Sequence, residues 1–180
     1  MPKKRTTRAK KAPARKPARR ASTAARGGIP FRTVTPYLAV GDAAAAIDWY
    51  KKAFGAKELT RMPGPGGKIM HAEVMIGDSR VMLSDVFPGS DTGDPQTLGA
   101  TTSNMHIYHR NIDKLWRQAV AAGARITMPI EDQFWGDRYG KLKDPFGHNW
   151  GLSFKAKMTK EEMERKRQQA MAGMAGGSPS

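Results

Sequence analysis

The chain repeats itself. A helix-closing Gly55-Ala56 returns as Gly123-Ala124, and a turn at Gly77-Asp78 returns as Gly147-His148 at nearly the same interval. Between those marks the apolar period runs strand, helix, strand, strand, strand in both copies. A half of that size has one apolar sheet face and one apolar helix stripe, and two halves can bury those surfaces together. The expected fold class is therefore α+β: tandem βαβββ modules at about 33–84 and 104–155, forming a cupped mixed sheet with helices on its outer face.

In the first copy, Phe31 to Val40 reads as a strand with Val34, Leu38 and Val40 on one face and Thr33, Thr35 and Tyr37 on the other. Pro36 removes one ladder donor, which suits an edge or a bulge. Asp42 is placed to cap a helix from Ala43 to Phe54, whose stripe is Ile47, Tyr50 and Phe54, and Gly55 ends it. Lys57 to Arg61 makes a short strand, and Met62 to Gly67 a loop. Ile69 to Ile76 and Arg80 to Ser84 then form a hairpin with His71 and Glu73 on one face. Residues 86–103 lack periodicity and read as a long connection.

In the second copy, Asn104 to Tyr108 is a strand, Ile112 to Ala122 a helix, and 125–129 a short strand. Glu131 to Lys143 is loop and strand. In Asp144-Pro145-Phe146-Gly147-His148, proline pins its own φ and glycine supplies a reversal, so a tight turn feeds the last strand, where Trp150, Leu152 and Phe154 alternate with small or polar residues. Thr159-Lys160-Glu161-Glu162 is a capping box opening a helix to about Met171, with Met163, Ala170 and Met174 available to dock, and glycines beyond.

Net charge is +15, but it is not spread evenly. Residues 1–28 carry eleven Lys and Arg and no acid, whereas 29–154 hold fourteen bases against thirteen acids. Apart from Met1, the stretch 1–28 has nothing apolar larger than Ala or Pro, so no core can offset the ordering entropy and a disordered arm is expected. Its cations, Lys3, Lys4, Arg5, Lys10, Lys11, Arg15, Lys16, Arg19 and Arg20 among them, suit nonspecific nucleic-acid binding by counterion release. The alternative is a solubilising extension. The domain is expected over 29–155, with a helix and flexible tail over 156–180.

There is no cysteine, hence no disulfide, thiol nucleophile or thiolate metal site. No apolar run is long enough for a bilayer, and no secretory signal is evident, so a cytoplasmic location is expected, nucleoid-associated in the case that the arm binds nucleic acid. Phosphate loops, dinucleotide fingerprints and nucleophile elbows are absent.

Thr35-Pro36-Tyr37-Leu38 leading into Gly41-Asp42, Phe54-Gly55-Ala56, Met70-His71-Ala72-Glu73, Glu131 to Arg138 and Asp144 to His148 together resemble the vicinal oxygen chelate superfamily, and its PhnB-like branch above all. That superfamily includes glyoxalases, extradiol dioxygenases, fosfomycin-resistance enzymes and bleomycin-binding proteins. The resemblance implies small-molecule binding in the cup, a homodimer and, if the protein is an enzyme, metal-assisted lyase or isomerase chemistry. The alternative it implies is a ligand-sequestering protein without chemistry. Carried over residue by residue, the family's metal positions fall on Thr35, on His71 or Glu73, on His106 and on Gly151. The ligand set is incomplete, so no cofactor is expected with assurance, although a divalent metal on His71, Glu73 and His106 fits the family pattern.

His71, Glu73 and His106 are the candidate catalytic residues, since a neutral imidazole beside a carboxylate suits a general base. Simple cross-strand hydrogen bonding is the other reading of the same residues. Tyr37, Tyr108, Gln133, Trp135 and Arg138 are the candidate ligand contacts. The aromatic loop 133–139 either lines a ligand or covers the core edge or a dimer seam, and Arg138 either holds an anion or pairs with Asp137 or Asp144. His109 is expected to be solvated and His148 to cap backbone groups.

Overall fold

The computed structural model describes residues 31–155 and 158–175. The basic arm at 1–28 and the tail glycines 176 and 177 lie outside the described residues. Each copy of the repeat builds its own four-stranded mixed sheet, and the order of elements is the one the repeat implies.

In the first module, β1 (Tyr37–Val40) pairs in parallel with β4 (Ser79–Asp85), and β3 (Ile69–Ile76) lies antiparallel between β4 and β2 (Lys57–Pro63). The second repeats that order: β5 (Asn104–Tyr108) runs parallel to β8 (Asn149–Lys155), followed by β7 (Asp137–Lys143) and β6 (Arg125–Asp132). The chain between the two strands of each parallel pair runs through a helix and two further strands, a connection long enough for parallel pairing. These helices are α1 (Ala43–Phe54) and α3 (Ile112–Ala121).

Strand β1 is shorter than the 31–40 expected from alternation. The ladder begins only where the Met82 amide donates to Pro36 O, and Thr35 Oγ1 instead donates to Arg32 O in a bend. Val34 is consequently 84% exposed while Leu38 and Val40 are buried. Helix α1 matches its sequence signals. Asp42 accepts from the Ala45 amide at 2.9 Å, and Gly55 takes a left-handed φ of 66° that a side chain would resist.

One apolar core serves both modules. Ile47, Tyr50 and Phe54 of α1, Val74 and Leu83 of the first sheet, and Leu142, Trp150 and Leu152 of the second are buried in a single cluster. The helices pack on each other as well as on their sheets. Phe54 and Tyr50 lie against Trp150 with ring centroids 4.7 and 5.5 Å apart, and Trp49 Nε1 donates to Ala122 O at 2.8 Å. Burying each large side chain is worth about 1.5–3 kcal/mol, so this seam ties module to module.

The expected long connection contains a short α2 (Pro95–Leu98), capped by Asp94. Pro95 sits against Gly147, where an added Cβ would fall 2.8 Å from its own, and Gln96 Nε2 donates to Pro145 O at 2.8 Å. The connection therefore braces the turn before β8. The capping box is formed reciprocally: the Glu162 amide donates to Thr159 Oγ1 and the Thr159 amide to Glu162 Oε2. It opens α4 (Lys160–Ala175), whose Met163 abuts Gly136. Among the described residues, no helix is long and apolar enough to cross a membrane.

Candidate functional site

The strand period of two sends alternate residues away from the helices, and the candidate residues separate into two groups on different sheets. On the first sheet, Tyr37, Met82 and Glu73 form one row across β1, β4 and β3. The Tyr37 hydroxyl lies 3.2 Å from His71 Nδ1, and His71 Nε2 lies 3.3 Å from Glu73 Oε1. The other Glu73 oxygen is paired with Arg80, whose guanidinium lies 3.8 Å over the Phe31 ring. A carboxylate only accepts, so His71 donates through Nε2–H and its Nδ1 accepts from the Tyr37 phenol. The result is a phenol–imidazole–carboxylate–guanidinium chain with the phenol at its exposed end.

On the second sheet, His106 is the direct partner of Gly151. The His106 imidazole stacks on Tyr139 at 5.6 Å and 7° and stands 4.6 Å from the Tyr108 ring. Trp135 meets Tyr139 edge-on at 5.8 Å. Gly151 makes the stack possible: a Cβ there would lie 3.0 Å from Tyr139 Cε2 and 3.1 Å from His106 Nδ1. Two places along β7 from Tyr139, the buried Asp137 accepts from Ser153 Oγ at 3.2 Å. Burial lowers the pKa of His106 and the Asp137 charge opposes that shift, while burial and then Tyr108 raise the pKa of Tyr139.

A cavity of about 500 Å³ runs along β5, with His106 and Tyr108 on one wall and Val34, Pro36 and the β3–β4 turn opposite. That volume suits a small organic molecule. Its lining overlaps the aromatic group only at those two residues.

The other candidates are engaged elsewhere. Arg138 donates to Asp113 Oδ1 at 2.9 and 3.0 Å and to Asp132 Oδ1 at 3.1 Å, holding α3 to β6 rather than pairing with Asp137 or Asp144. Gln133 joins the turn into β7 through its amide, which donates to Asp137 O at 2.7 Å. His109 accepts from the Asn111 amide, and His148 Nε2 donates to Ala39 O at 3.0 Å.

A divalent metal does not fit the donors one chain presents. Among the described residues no three His, Cys, Asp or Glu converge. His71 and Glu73 are turned to each other, to Tyr37 and to Arg80, and His106 belongs to the other sheet. Thr35 precedes β1; Tyr37 stands six residues before α1 as His106 stands six before α3. At Gly151, rings occupy the space a ligand side chain would need.

Arg80 and Ser153 escape a reading of motifs alone, while Asp137 and Tyr139 enter it only as members of the aromatic loop 133–139. Arg80 is recoverable from the two-residue turn, which fixes its place opposite Met75. That Asp137 and Tyr139 belong to a strand and share one of its faces is hidden, because β6 meets β7 through register shifts that break the simple alternation.

Likenesses to known proteins agree with this fold. A family model described as Glyoxalase/Bleomycin resistance protein/Dioxygenase superfamily matches residues 31–152. The uncharacterized protein Mb0911c of Mycobacterium bovis is 47% identical over 122 residues, spanning 66% of this chain and 80% of that protein. The crystal structure of TioX from Micromonospora sp. ML1 is 30% identical with a TM-score of 0.56, covering 67% of this chain and 96% of that one. A bleomycin-binding protein complexed with bleomycin shares the fold at 23% identity and a TM-score of 0.50, covering 69% and 98%.

Proposed function

Because the chain belongs to the glyoxalase/bleomycin resistance protein/dioxygenase superfamily, we propose that it binds and sequesters a small planar organic molecule on the helix-free face of its second sheet. One observation carries this reading: a glycine at position 151 leaves room for His106 and Tyr139 to stack, with Tyr108 and Trp135 extending the aromatic surface. Exposed rings held in place on strands offer stacking area at little entropic cost. Tyr108 is 64% exposed, which supports a ligand-facing place for its ring. A bleomycin-binding protein complexed with bleomycin, on the same fold, gives precedent at the level of fold alone.

Thermal-shift screening against planar aromatics, in parallel with divalent metals, tests the proposal. A ligand at a hundred times its Kd adds about 2.7 kcal/mol, which raises Tm by several degrees, and Tyr139→Ala should remove the rise. Stabilisation by metals but by no aromatic compound would refute it.

The chain Tyr37–His71–Glu73 supports a second reading, acid–base catalysis without a metal. In it the phenol faces the substrate, and His71, oriented by Glu73, takes or returns its proton. Turnover of an enolisable carbonyl compound that survives exhaustive chelation and vanishes in Tyr37→Phe and His71→Gln would establish it; turnover undiminished in both would exclude it.

A further inference from the structure

We propose that Asp137 anchors an organic ammonium ion, so that the ligand of the aromatic face is an aromatic amine in its cationic form. This rests on the proposed aromatic site and specifies its chemistry. Asp137 begins β7 on the same face as Tyr139, and residues two apart on one face of a strand stand about 7 Å apart. The residue is 6% exposed, and its charge reaches His106 across the face. Oxygen Oδ2 accepts from Ser153, which lies beside Tyr139 in the ladder. Oxygen Oδ1 is buried and receives no hydrogen bond from any described residue.

The nearest cation is Lys155, the cross-strand partner of Asp137, with Nζ 3.4 Å from Oδ1. The two sides of this pair differ sharply. The lysine side chain is 76% exposed and the aspartate side chain 8%. The lysine head loses little by returning to water, and the cost of its leaving falls on the buried carboxylate until another cation takes its place. A buried carboxylate oxygen without a hydrogen bond, in contrast, favours any cation that can reach it with its N–H groups aimed. Lys155 thus acts as a resident stand-in, and its path marks the way in. A ligand ammonium entering there would displace it, while its ring lay on Tyr139, Tyr108 and Trp135, whose faces also attract cations.

The test is calorimetry on the full chain with three probes sharing one ring: 1-naphthylmethylammonium, 1-naphthylmethanol and 1-naphthylacetate. The ammonium should bind at least ten-fold more tightly than the alcohol, and Asp137→Asn should erase that difference. Asp137 is buried, so a second variant is made on the exposed side of the pair, Lys155→Ala, with its urea midpoint measured beside that of the wild type. It should tighten ammonium binding several-fold, by removing the competitor, and leave the alcohol unchanged. Equal binding of ammonium and alcohol would overturn the anchor while the aromatic site stood. Tightest binding by the acetate, or weaker ammonium binding in Lys155→Ala, would overturn it in favour of a lysine-held anion. No binding by any of the three would remove the anchor together with the aromatic site.

Discussion

The Tyr50 phenol donates a 2.9 Å hydrogen bond to the Asp144 carboxylate, 94 residues further along the chain. Trp150 Nε1 donates to the same oxygen at 2.8 Å, while the amides of Phe146 and His148 donate to the other at 3.0 and 2.8 Å. A turn residue of the second module therefore fastens α1 of the first. Burial and then the facing carboxylate push the Tyr50 pKa well above its ordinary value, which keeps this donor protonated.

Tyr50→Phe should accordingly cost about 1.5–3 kcal/mol, the range for a hydrogen bond to a charged acceptor. Asp144→Ala should cost more, since it strands four buried donors at once. Urea unfolding checks both. An Asp144→Ala loss no larger than the roughly 0.5 kcal/mol of an ordinary surface substitution would remove the carboxylate from its place as the tie between modules.

Much of this fold could be read from the chain. The repeat fixed the order of elements because glycine closures and turns are local chemistry, as at Gly55 and at the reciprocal Thr159–Glu162 cap. What alternation could not show was that β1 starts only at Tyr37, since that depends on where a partner amide, that of Met82, meets Pro36 O. In the candidate site, the approach of His71 to Glu73 follows from their i, i+2 spacing, and Tyr37 and Arg80 join them only through pairing with other strands. Gly151 reads in sequence as a missing ligand. In three dimensions it is the space that a ring pair fills.

Two glycines separate packing from function. At Gly140 a Cβ would meet Trp116 at 2.7 Å and the Ile130 backbone at 2.8 Å, so Gly140→Ala overpacks the core beneath β7 and should cost about 1–3 kcal/mol. At Gly151 the neighbours are the movable rings of Tyr139 and His106, so Gly151→Ala should cost about 1 kcal/mol or less yet weaken planar ligands at least ten-fold. Chemical denaturation beside ligand titration reads both effects. If Gly151→Ala bound aromatics normally, the ring stack would not be the site.

The N-terminal arm carries a charge quite unlike the near-neutral domain. We propose that it holds nucleic acid through phosphate contacts, with log affinity falling against log salt by about 0.9 for each phosphate neutralised on duplex DNA. Removing residues 1–28 should abolish salt-sensitive retention on DNA of any sequence and leave Tm unchanged. Retention unaltered by the deletion would assign the binding to the domain instead.

His106 makes stability depend on pH, with a sign fixed by the site. Burial lowers its pKa below the ordinary value near 6.5, so the unfolded chain binds a proton more readily than the folded one. Stability from this group is complete above about pH 6.5 and declines as pH falls through the folded-state pKa. Asp137 opposes the shift and so narrows the window. Protonation also puts a charge into the stack with Tyr139, so affinity for a cationic or planar ligand should fall over the same range. Urea midpoints and ligand titrations at pH 7.5 and 5.0, for the wild type and His106→Gln, supply the comparison. The variant should lose part of the difference between the two pH values in both measurements. A variant whose pH dependence matched the wild type would show that His106 keeps its ordinary pKa and that other groups govern the acid limb.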